Sequence, residues 1–430
     1  MKKGLILTLA ALMLLSTAVL ATNTRVLTMG EANNVLLDEA NIWLYPSRIS
    51  MYPNVAIGEA GYYNFGSGYE LGSLGIHWKF NEKNPWVLGT YLTSDIYKVA
   101  DGLGGLGLSN TTLPFRYPSY DFFSVEQDDW WFPDPQTLTN NWGNQRLSLF
   151  YGRKLGTMPF GFYFNNVSSS WKNESTTPAS QAQRSLSEYD FGFGLTDPGG
   201  KWDLAAGLNL MSWKNKNNVG ADITKPSGNK SFYAMGRYFK QMNPQWTVVP
   251  NAGVIIGSYK VEWYDQGTPN AVTNTESYKN TTFWLGLGAH YTPTASILAV
   301  LEGGVGYTSN KVEWTSLAPA TVTHKLNSFT LPYIKTGIEG KVFDWMDLRA
   351  GAVSYWNRTS DENVATGGNN TKIKYNYPNN RTYLGAGLHF GNLHIDTYTD
   401  PQFLLKGPNF VSGGTTEDLN FAVSVLYDFK

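Results

Sequence analysis

The sequence predicts a transmembrane β-barrel of the outer-membrane type, closed by antiparallel strands. Three observations predict it: alternation of apolar and polar side chains, alternation of short and long connections, and a composition rich in aromatic residues. Aromatic residues make up 15% and charged residues 16% of the chain, which also contains 44 glycines. Large soluble proteins carry nearer to about a quarter of charged residues. A closed barrel is the β-structure that satisfies every backbone polar group in lipid.

The strand signal is a two-residue period with one apolar face. It is clear in residues 188–196, 202–211 and 381–390, where apolar side chains occupy every second position. The last strand places Phe421, Val423, Val425, Tyr427 and Phe429 on one face. Outer-membrane barrels typically close with an aromatic residue near the end of the chain. Alternation alone would also suit a soluble sandwich, so the connections must decide.

Short turns alternate with long polar stretches along the chain. The short turns are predicted at residues 81–84, 155–157, 197–200, 242–244 and 292–294. The long stretches are predicted at residues 94–144, 168–186, 214–230, 265–279, 315–325 and 358–378. Short turns on one side and long loops on the outer side are typical of a bacterial outer-membrane barrel. Counting from Tyr52 predicts sixteen strands, with fourteen as the alternative if 393–399 and one member of the first hairpin lie outside the wall.

The N-terminus predicts export across the inner membrane of a Gram-negative-type cell. Lys2 and Lys3 precede a short apolar run, and Val19-Leu20-Ala21 offers a cleavage site, so residues 1–21 are interpreted as a signal peptide. We therefore divide the chain into residues 1–21, an N-terminal hatch or plug at 22–51 and a barrel at 52–430. An even strand count places both termini in the periplasm. The absence of cysteine excludes a lipoprotein anchor, disulfides and thiolate metal sites.

The predicted inward faces carry charges and glycines. The charged residues that we assign to a network in the lumen are Arg146, Glu188, Asp190, Asp203, Arg349 and Arg381. Their mixed signs predict no ion preference. The inward glycines are Gly192, Gly194, Gly207, Gly286, Gly288, Gly351, Gly385 and Gly387. Such glycines mark either curvature of the wall or close packing of an internal plug.

The segment "TRVLTMGEANNVLLDEANIWLYPSRI" does not alternate like a strand. Its pattern predicts a helical turn or two between Met29 and Leu37, then a second turn that is capped by Asp38 and stopped by Pro46. Helices this short are not stable alone and need a surface to pack on. We predict a hatch in the lumen whose pocket residues are Arg25, Leu27, Met29, Leu36, Leu37, Asp38, Ile42, Trp43, Tyr45 and Pro46. The alternatives are a disordered periplasmic tail or an external clasp.

Several residues of this segment resemble the N-terminal signature of a known family. Arg25, Met29-Gly30, Ala32, Asp38 and Pro46-Ser47, ending on Ile49, are similar to the outer-membrane long-chain fatty-acid transporters and the related shuttle barrels of type nine secretion. The resemblance covers about 25 residues and implies a hatch ahead of a fourteen-strand barrel. Where that family usually has Asn-Pro-Ala, this chain has Tyr45-Pro46-Ser47. A shared architecture does not by itself indicate a shared substrate.

The loop at residues 94–144 exceeds the about 12–15 residues of an ordinary connection. Its aromatic residues are Phe115, Tyr117, Phe122, Phe123, Trp130, Trp131 and Phe132. They either pack the loop on itself or form a lid or groove for apolar ligands. The neighbouring Asp128, Asp129 and Asp134 lack the ligand spacing of a calcium site, so no metal is predicted.

No enzyme is predicted, because the five histidines show no metal-ligand spacing and no nucleophile motif occurs. His389 lies on an inward face near Asp396, and we interpret it as a lumen histidine with a structural role. A net charge of −1 argues against nucleic-acid binding. No cofactor motif is present.

The leading functional hypothesis is passive uptake of hydrophobic or amphipathic small molecules through a hatch-plugged monomeric barrel. The alternatives are a non-transporting barrel that serves secretion or surface assembly, and a polar porin. The expected partners are membrane lipid, lipopolysaccharide, the small-molecule ligand and the barrel-assembly machinery during insertion.

Overall fold

Sixteen antiparallel strands form a closed barrel in the computed structural model. The structure describes residues 22–63, 69–81, 83, 85–95, 144–173, 182–216, 222–226, 230–264, 272–316, 321–365, 370–399, 401 and 421–429. The predicted signal peptide and the aromatic residues of the 94–144 loop lie outside these described residues.

The strands follow one another around the wall in chain order. They are β1 Val55–Tyr63, β2 Tyr69–Phe80, β3 Trp86–Asp95, β4 Asn144–Leu155, β5 Met158–Asn173, β6 Ala182–Thr196, β7 Trp202–Lys216, β8 in three pieces (Asp222–Pro226, Lys230–Tyr238 and Lys240–Gln241), β9 Trp246–Tyr264, β10 Val272–Thr294, β11 Ile297–Ser316, β12 Thr321–Phe343, β13 Met346–Ala365, β14 Thr371–Phe390, β15 Leu393–Thr399 and β16 Phe421–Asp428. The three pieces count as one strand because they all pair with β9, and two of them also pair with β7.

The barrel closes where β1 pairs with β16, from Val55 opposite Asp428 to Tyr62 opposite Phe421. The preferred count of sixteen strands is therefore confirmed, and the weakest candidate, Leu393–Thr399, pairs with both of its neighbours. The first hairpin also lies in the wall.

The short turns all lie at the end of the barrel where β1 begins and β16 ends. They occupy residues 81–85, 156–157, 197–201, 242–245, 295–296, 344–345 and 391–392. The predicted turn at 292–294 is thus displaced toward the C-terminus. On the opposite side the sequence overestimated several loops, because polar residues there continue the strands. The predicted loop at 358–378, for example, is largely strand, since β13 runs to Ala365 and β14 begins at Thr371.

Apolar side chains face outward and polar side chains face inward, as the alternation predicts. In β7, Leu204 is 51% exposed while Asp203 is 0% exposed. In β6, Phe191 and Phe193 lie outward and Asp190 is buried. Outward apolar side chains on a closed barrel form the surface that contacts lipid.

Aromatic side chains encircle the short-turn end on the outer surface. Neighbouring rings pack against each other in this girdle, which contains Trp78, Phe80, Trp86, Tyr151, Phe162, Trp246, Tyr291, Phe343, Trp345, Phe390 and Phe429. On β13 the next outward aromatic residue is Trp356, which is 60% exposed. At about 3.4 Å per residue and a tilt of about 40°, Trp345 and Trp356 lie about 28 Å apart along the barrel axis. That separation matches the apolar band of an outer-membrane barrel, about 25 Å tall.

Three short helices precede the barrel: α1 Asn23–Thr28 and two 3₁₀ helices, Glu39–Trp43 and Pro46–Met51. The predicted cap at Asp38 is present, since its carboxylate accepts a hydrogen bond from the Ala40 N–H and Asn41 completes a capping box. None of the helices among the described residues is long and apolar enough to cross a membrane.

The helix prediction is incomplete. One helical turn forms within Met29–Leu37, where the Leu36 N–H donates to the Ala32 carbonyl at 3.0 Å. An unpredicted helix precedes it and ends at Thr28, before Gly30 and Glu31, which adopt φ values of 71° and 57°. Left-handed residues cannot continue an α-helix. The turn capped by Asp38 ends at Trp43, before Pro46, as predicted, and Pro46 also begins a further 3₁₀ helix, as expected of proline in a first helical turn.

Candidate functional site

The N-terminal segment, residues 22–54, contacts inward-facing residues on opposite sides of the wall. Thr22 donates to Asp396 of β15 at 2.8 Å, and Arg48 contacts Asp203 of β7 at 2.8 Å. Nearly every residue of the segment is buried, whereas Leu37 is 41% exposed. The segment therefore occupies the interior of the barrel.

One ionic cluster joins the first helix to β12, β13 and β15. Arg25 donates to both carboxylate oxygens of Glu339, at 2.7 and 2.8 Å, and to Asp38 at 3.1 Å. Arg349 bridges Glu339 and Asp396, at 2.5 Å to each. Bidentate guanidinium–carboxylate pairs are strong and directional, so this cluster fixes the orientation of the helix against the wall.

A second cluster holds the later part of the segment. Asp203 accepts from Arg48 at 2.8 and 2.9 Å and from Arg237 at 2.7 Å. Arg237 also donates to the carbonyls of Asn33, Asn34 and Leu36 at 3.0, 3.2 and 2.8 Å. One wall residue thus satisfies three backbone acceptors in a stretch without regular structure.

Two further carboxylates of the segment point at wall tyrosines. Glu31 accepts from Tyr355 at 3.2 Å and from Tyr383, and Arg381 lies 3.6 Å away. Glu39 accepts from Tyr91 at 2.7 Å. Burial raises the pKa of the Glu39 carboxyl well above its ordinary value, against the opposing effect of the Tyr91 hydrogen bond. Buried carboxylates need such partners because desolvation is costly.

Apolar residues of the segment complete the contact. Trp43 is 1% exposed and packs edge-on against Tyr91 and Phe150, with ring centroids 5.0 and 4.8 Å apart. Ile42 and Ile49 lie in the same buried cluster. Met29, Val35 and Leu36 form another with residues of β9 and β11, and Leu44 and Tyr45 pack beside Trp284 and Tyr333.

The inward glycines lie in close contact either with the N-terminal segment or with side chains of neighbouring strands. A Cβ on Gly194, Gly288, Gly351 or Gly385 would meet the N-terminal segment within 2.9 Å. The others lie under wall side chains: Gly192 under Tyr163, Gly207 under Tyr233, Gly286 beside Tyr333 and Gly387 under Arg349. Aromatic rings laid over glycines of a neighbouring strand are a known means of fixing strand register. Close packing against an internal segment, one of the two interpretations left open by the sequence, therefore describes four of the eight glycines, and the other four lie against side chains of the wall itself.

Beyond the segment, toward the long-loop end, the inward faces change character. First comes an inner aromatic ring: Tyr91, Tyr163, Tyr233, Trp284, Tyr333, Tyr355, Tyr383 and Tyr398. Farther along the strands most of the buried inward residues are uncharged and polar, namely Ser148, Asn165, Asn209, Ser231, Asn280, Thr282, Asn310, Thr330 and Thr359, and Asp190 lies between Asn165 and Asn209. Thr330 donates to Asn357 at 2.6 Å, and Thr282 and Thr308 lie 3.1 Å apart. Among its described residues, this layer carries mainly amides and hydroxyls together with the carboxyl group of Asp190.

The predicted lumen charges whose side chains the structure describes lie in separate places along the wall. Asp203, Arg349 and Arg381 each contact a different cluster, and Asp190 accepts from Asn209. The side chains of Arg146 and Glu188 lie outside the described part of the structure. The sequence prediction assigned no role to Arg237, Glu339 and Glu59. The two-residue alternation of their strands nevertheless places all three on the inward face.

His389 lies near the short-turn rim, away from any interior cluster. It contacts Asp347 at 2.7 Å and His394 at 2.8 Å. Within the described ranges, no group of three or more histidine, aspartate and glutamate residues is arranged to hold a metal ion.

The fold and the outer surface define an outer-membrane-type β-barrel whose interior is occupied by its own N-terminal segment. No family model and no curated protein matches the chain. Among solved structures, CdiB from Acinetobacter baumannii is similar over 87% of this chain and 60% of its own, at 9% identity and a TM-score of 0.41. The siderophore receptor PiuA from the same organism is similar over 87% and 81%, at 9% identity and a TM-score of 0.36. The chain thus spans 60% of the length of this CdiB.

Proposed function

We propose that this protein is a passive outer-membrane transporter of small amphipathic molecules, and that the N-terminal segment acts as its hatch. The observation that carries the proposal is the ion-paired attachment of the segment inside the barrel. In this mechanism, ligand enters from the long-loop end, passes the mainly uncharged polar layer and reaches the inner aromatic ring. Displacement of the segment then opens an exit toward the short-turn end, which we assign to the periplasm.

The interior supports an amphipathic ligand over a purely apolar one. Buried amides and hydroxyls are best satisfied by a ligand that itself forms hydrogen bonds. Aromatic side chains such as Tyr333 and Trp284 offer apolar area to the rest of the molecule. The low charge of the outer layer gives no electrostatic reason to select an ion.

Single-channel recording in planar bilayers tests the hatch. The full-length barrel is expected to show little conductance, and deletion of residues 24–49 is expected to open a stable pore, because the segment and its side chains leave the lumen. The matched control is Asp344→Asn, in an exposed turn with a fully exposed side chain. A large conductance that the deletion leaves unchanged would identify a polar porin and contradict the proposal.

Uptake into proteoliposomes tests the ligand class. Radiolabelled octyl glucoside and oleate serve as amphipathic probes, with a free hexose as the polar comparison. We expect both amphipathic probes to accumulate faster than in protein-free vesicles, and the hexose to remain at the background rate. Absence of amphipathic uptake, together with a protein that co-purifies in equal amount, would favour a role in secretion or surface assembly.

A further inference from the structure

The ionic cluster around the first helix contains more carboxylates than cations. Its members are Arg25, Asp38, Glu59, Glu339, Arg349 and Asp396. Two guanidinium groups face four carboxyl groups beside the start of the segment, so the acidic groups outnumber the cationic groups by two. Among the residues that the structure describes, Glu59 forms no ion pair, and its partners are Asn23 and Ser424. Buried charges are ordinarily paired, so this cluster lacks a cation.

Thr22 and Asn23, at the start of the segment, contact the carboxyl groups of Asp396 and Glu59. The Thr22 hydroxyl donates to Asp396 at 2.8 Å, while the Asn23 N–H and side-chain amide donate to Glu59 at 3.1 and 2.8 Å. The Asn23 Oδ1 atom is buried and accepts no hydrogen bond. Covalent geometry therefore keeps the Thr22 nitrogen within about 7 Å of both carboxylates.

We propose that the missing cation is the α-amino group of Thr22, generated by cleavage of the chain after Ala21. The cleavage site is the one expected from the sequence. Water adds across the Ala21–Thr22 peptide bond, which leaves a carboxylate on Ala21 and an ammonium group on Thr22. The reaction needs only water and a signal peptidase. The new ammonium group then pairs with Asp396 and Glu59.

Cleavage would change the charge at the Thr22 nitrogen, which lies beside the buried carboxyl groups. In the uncleaved chain the Thr22 nitrogen is a neutral amide with one N–H, which cannot offset the surplus carboxylates. The ammonium carries a full charge and three donors. In a site screened from water, its attraction to carboxylates is much stronger than at a surface. Processing therefore anchors the first helix at the β15, β16 and β1 side of the wall.

A double-mutant cycle tests the ion pair. Chains that begin at Thr22, or at one added alanine before Thr22, are released from a cleavable fusion and refolded in detergent micelles. Each is made with and without Asp396→Asn. Unfolding rates in urea are followed by the gel shift between folded and unfolded barrel. The added alanine is expected to accelerate unfolding about tenfold with Asp396 present and by less than about twofold with Asp396→Asn.

Because Asp396 also pairs with Arg349, the same cycle is run with Glu59→Gln, which disturbs no described ion pair. Equal effects of the added alanine in the parent and in both variants would overturn the proposal. The intact mass of the exported protein provides the second readout. A mature chain that begins at Thr22 is expected, and one that begins elsewhere would also overturn it. Neither readout depends on transport. A failure of the ion-pair proposal can therefore be distinguished from a failure of the proposed transport function.

Discussion

Asp203 connects two guanidinium groups from distant parts of the chain. Arg48 belongs to the N-terminal segment, and Arg237 belongs to β8 and also binds three segment carbonyls. All three side chains are at least 95% buried. A buried pair is weak evidence for stability, but the loss of one member leaves an uncompensated charge in a dry site.

We expect Asp203→Asn to destabilise the folded barrel by about 3–5 kcal/mol, because it leaves Arg48 and Arg237 without their shared carboxylate. The measurement is the urea midpoint in detergent micelles. Asp344→Asn is the control, since its exposed pair with Lys341 is worth about 0–1 kcal/mol. Equal midpoints for the two variants would show that the Asp203 cluster does not hold the segment.

The sequence predicts which face of the wall each strand residue occupies, but it does not predict which residues its side chain contacts. Alternation places Asp203, Arg349 and Asp190 on the inward face, because a two-residue period assigns a face to every strand residue. It gives no information on which element lies opposite. The partners of Arg349 lie in β12 and β15, and those of Asp203 lie in the segment and in β8, so only the assembled barrel reveals them.

At the scale of elements, glycines set how closely the segment approaches the wall. Gly351 of β13 faces Gly30, and an added Cβ would lie 2.2 Å from the Gly30 nitrogen. Likewise, a Cβ added to Gly161 of β5 would lie 2.4 Å from the Pro46 carbonyl oxygen. Backbone-to-backbone contact of this kind leaves no flexible side chain that could move aside.

Gly351→Ala is expected to cost about 1–3 kcal/mol and to loosen the segment, because the new methyl group collides with backbone. Limited proteolysis of the refolded protein reports loosening through cleavage within residues 22–54. Gly340→Ala on β12 is the matched control, since its Cβ would meet nothing within 4 Å. Similar protease resistance in both variants would contradict tight packing of the segment.

The helical elements were predicted only in part. Asp38 has the residue type and spacing of a cap, and the structure uses it as one. The left-handed pair Gly30 and Glu31 was not foreseeable, because nothing local in the sequence requires Glu31 at a φ of 57°. Its carboxylate is held by Tyr355 and Tyr383, so a tertiary contact offsets an unfavourable backbone conformation.

At the scale of the whole molecule, strand length varies around the wall. The strands from β9 to β14 have 19 to 23 residues, more than the about 9–11 needed to span a bilayer. The sequence assigned the outer parts of four of these strands to loops, namely residues 272–279 of β10, 321–325 of β12, 358–365 of β13 and 371–378 of β14, because these parts are rich in polar residues. The part within the apolar band was predicted because lipid imposes the alternation.

The apolar band predicts where a charge is harmful. Leu285→Arg, on the outward face of β10, is expected to destabilise the barrel by about 2–4 kcal/mol when it is folded into liposomes. Leu285 is 59% exposed, and the control residue Leu155, on the outward face at the short-turn end of β4, is 63% exposed. Leu155→Arg is expected to change stability by less than about 1 kcal/mol. Equal losses would mean that the band is misplaced.

The contact between the two ends of the chain has a consequence for the order of assembly. Thr24 lies 2.5 Å from Ser424 on β16, and Asn23 binds Glu59 on β1, the two strands that form the seam. Contacts so far apart in sequence are entropically expensive to form early. Residues 22–24 are synthesised long before β16 but need it for these contacts, and we expect the seam to close around them as the last step of folding.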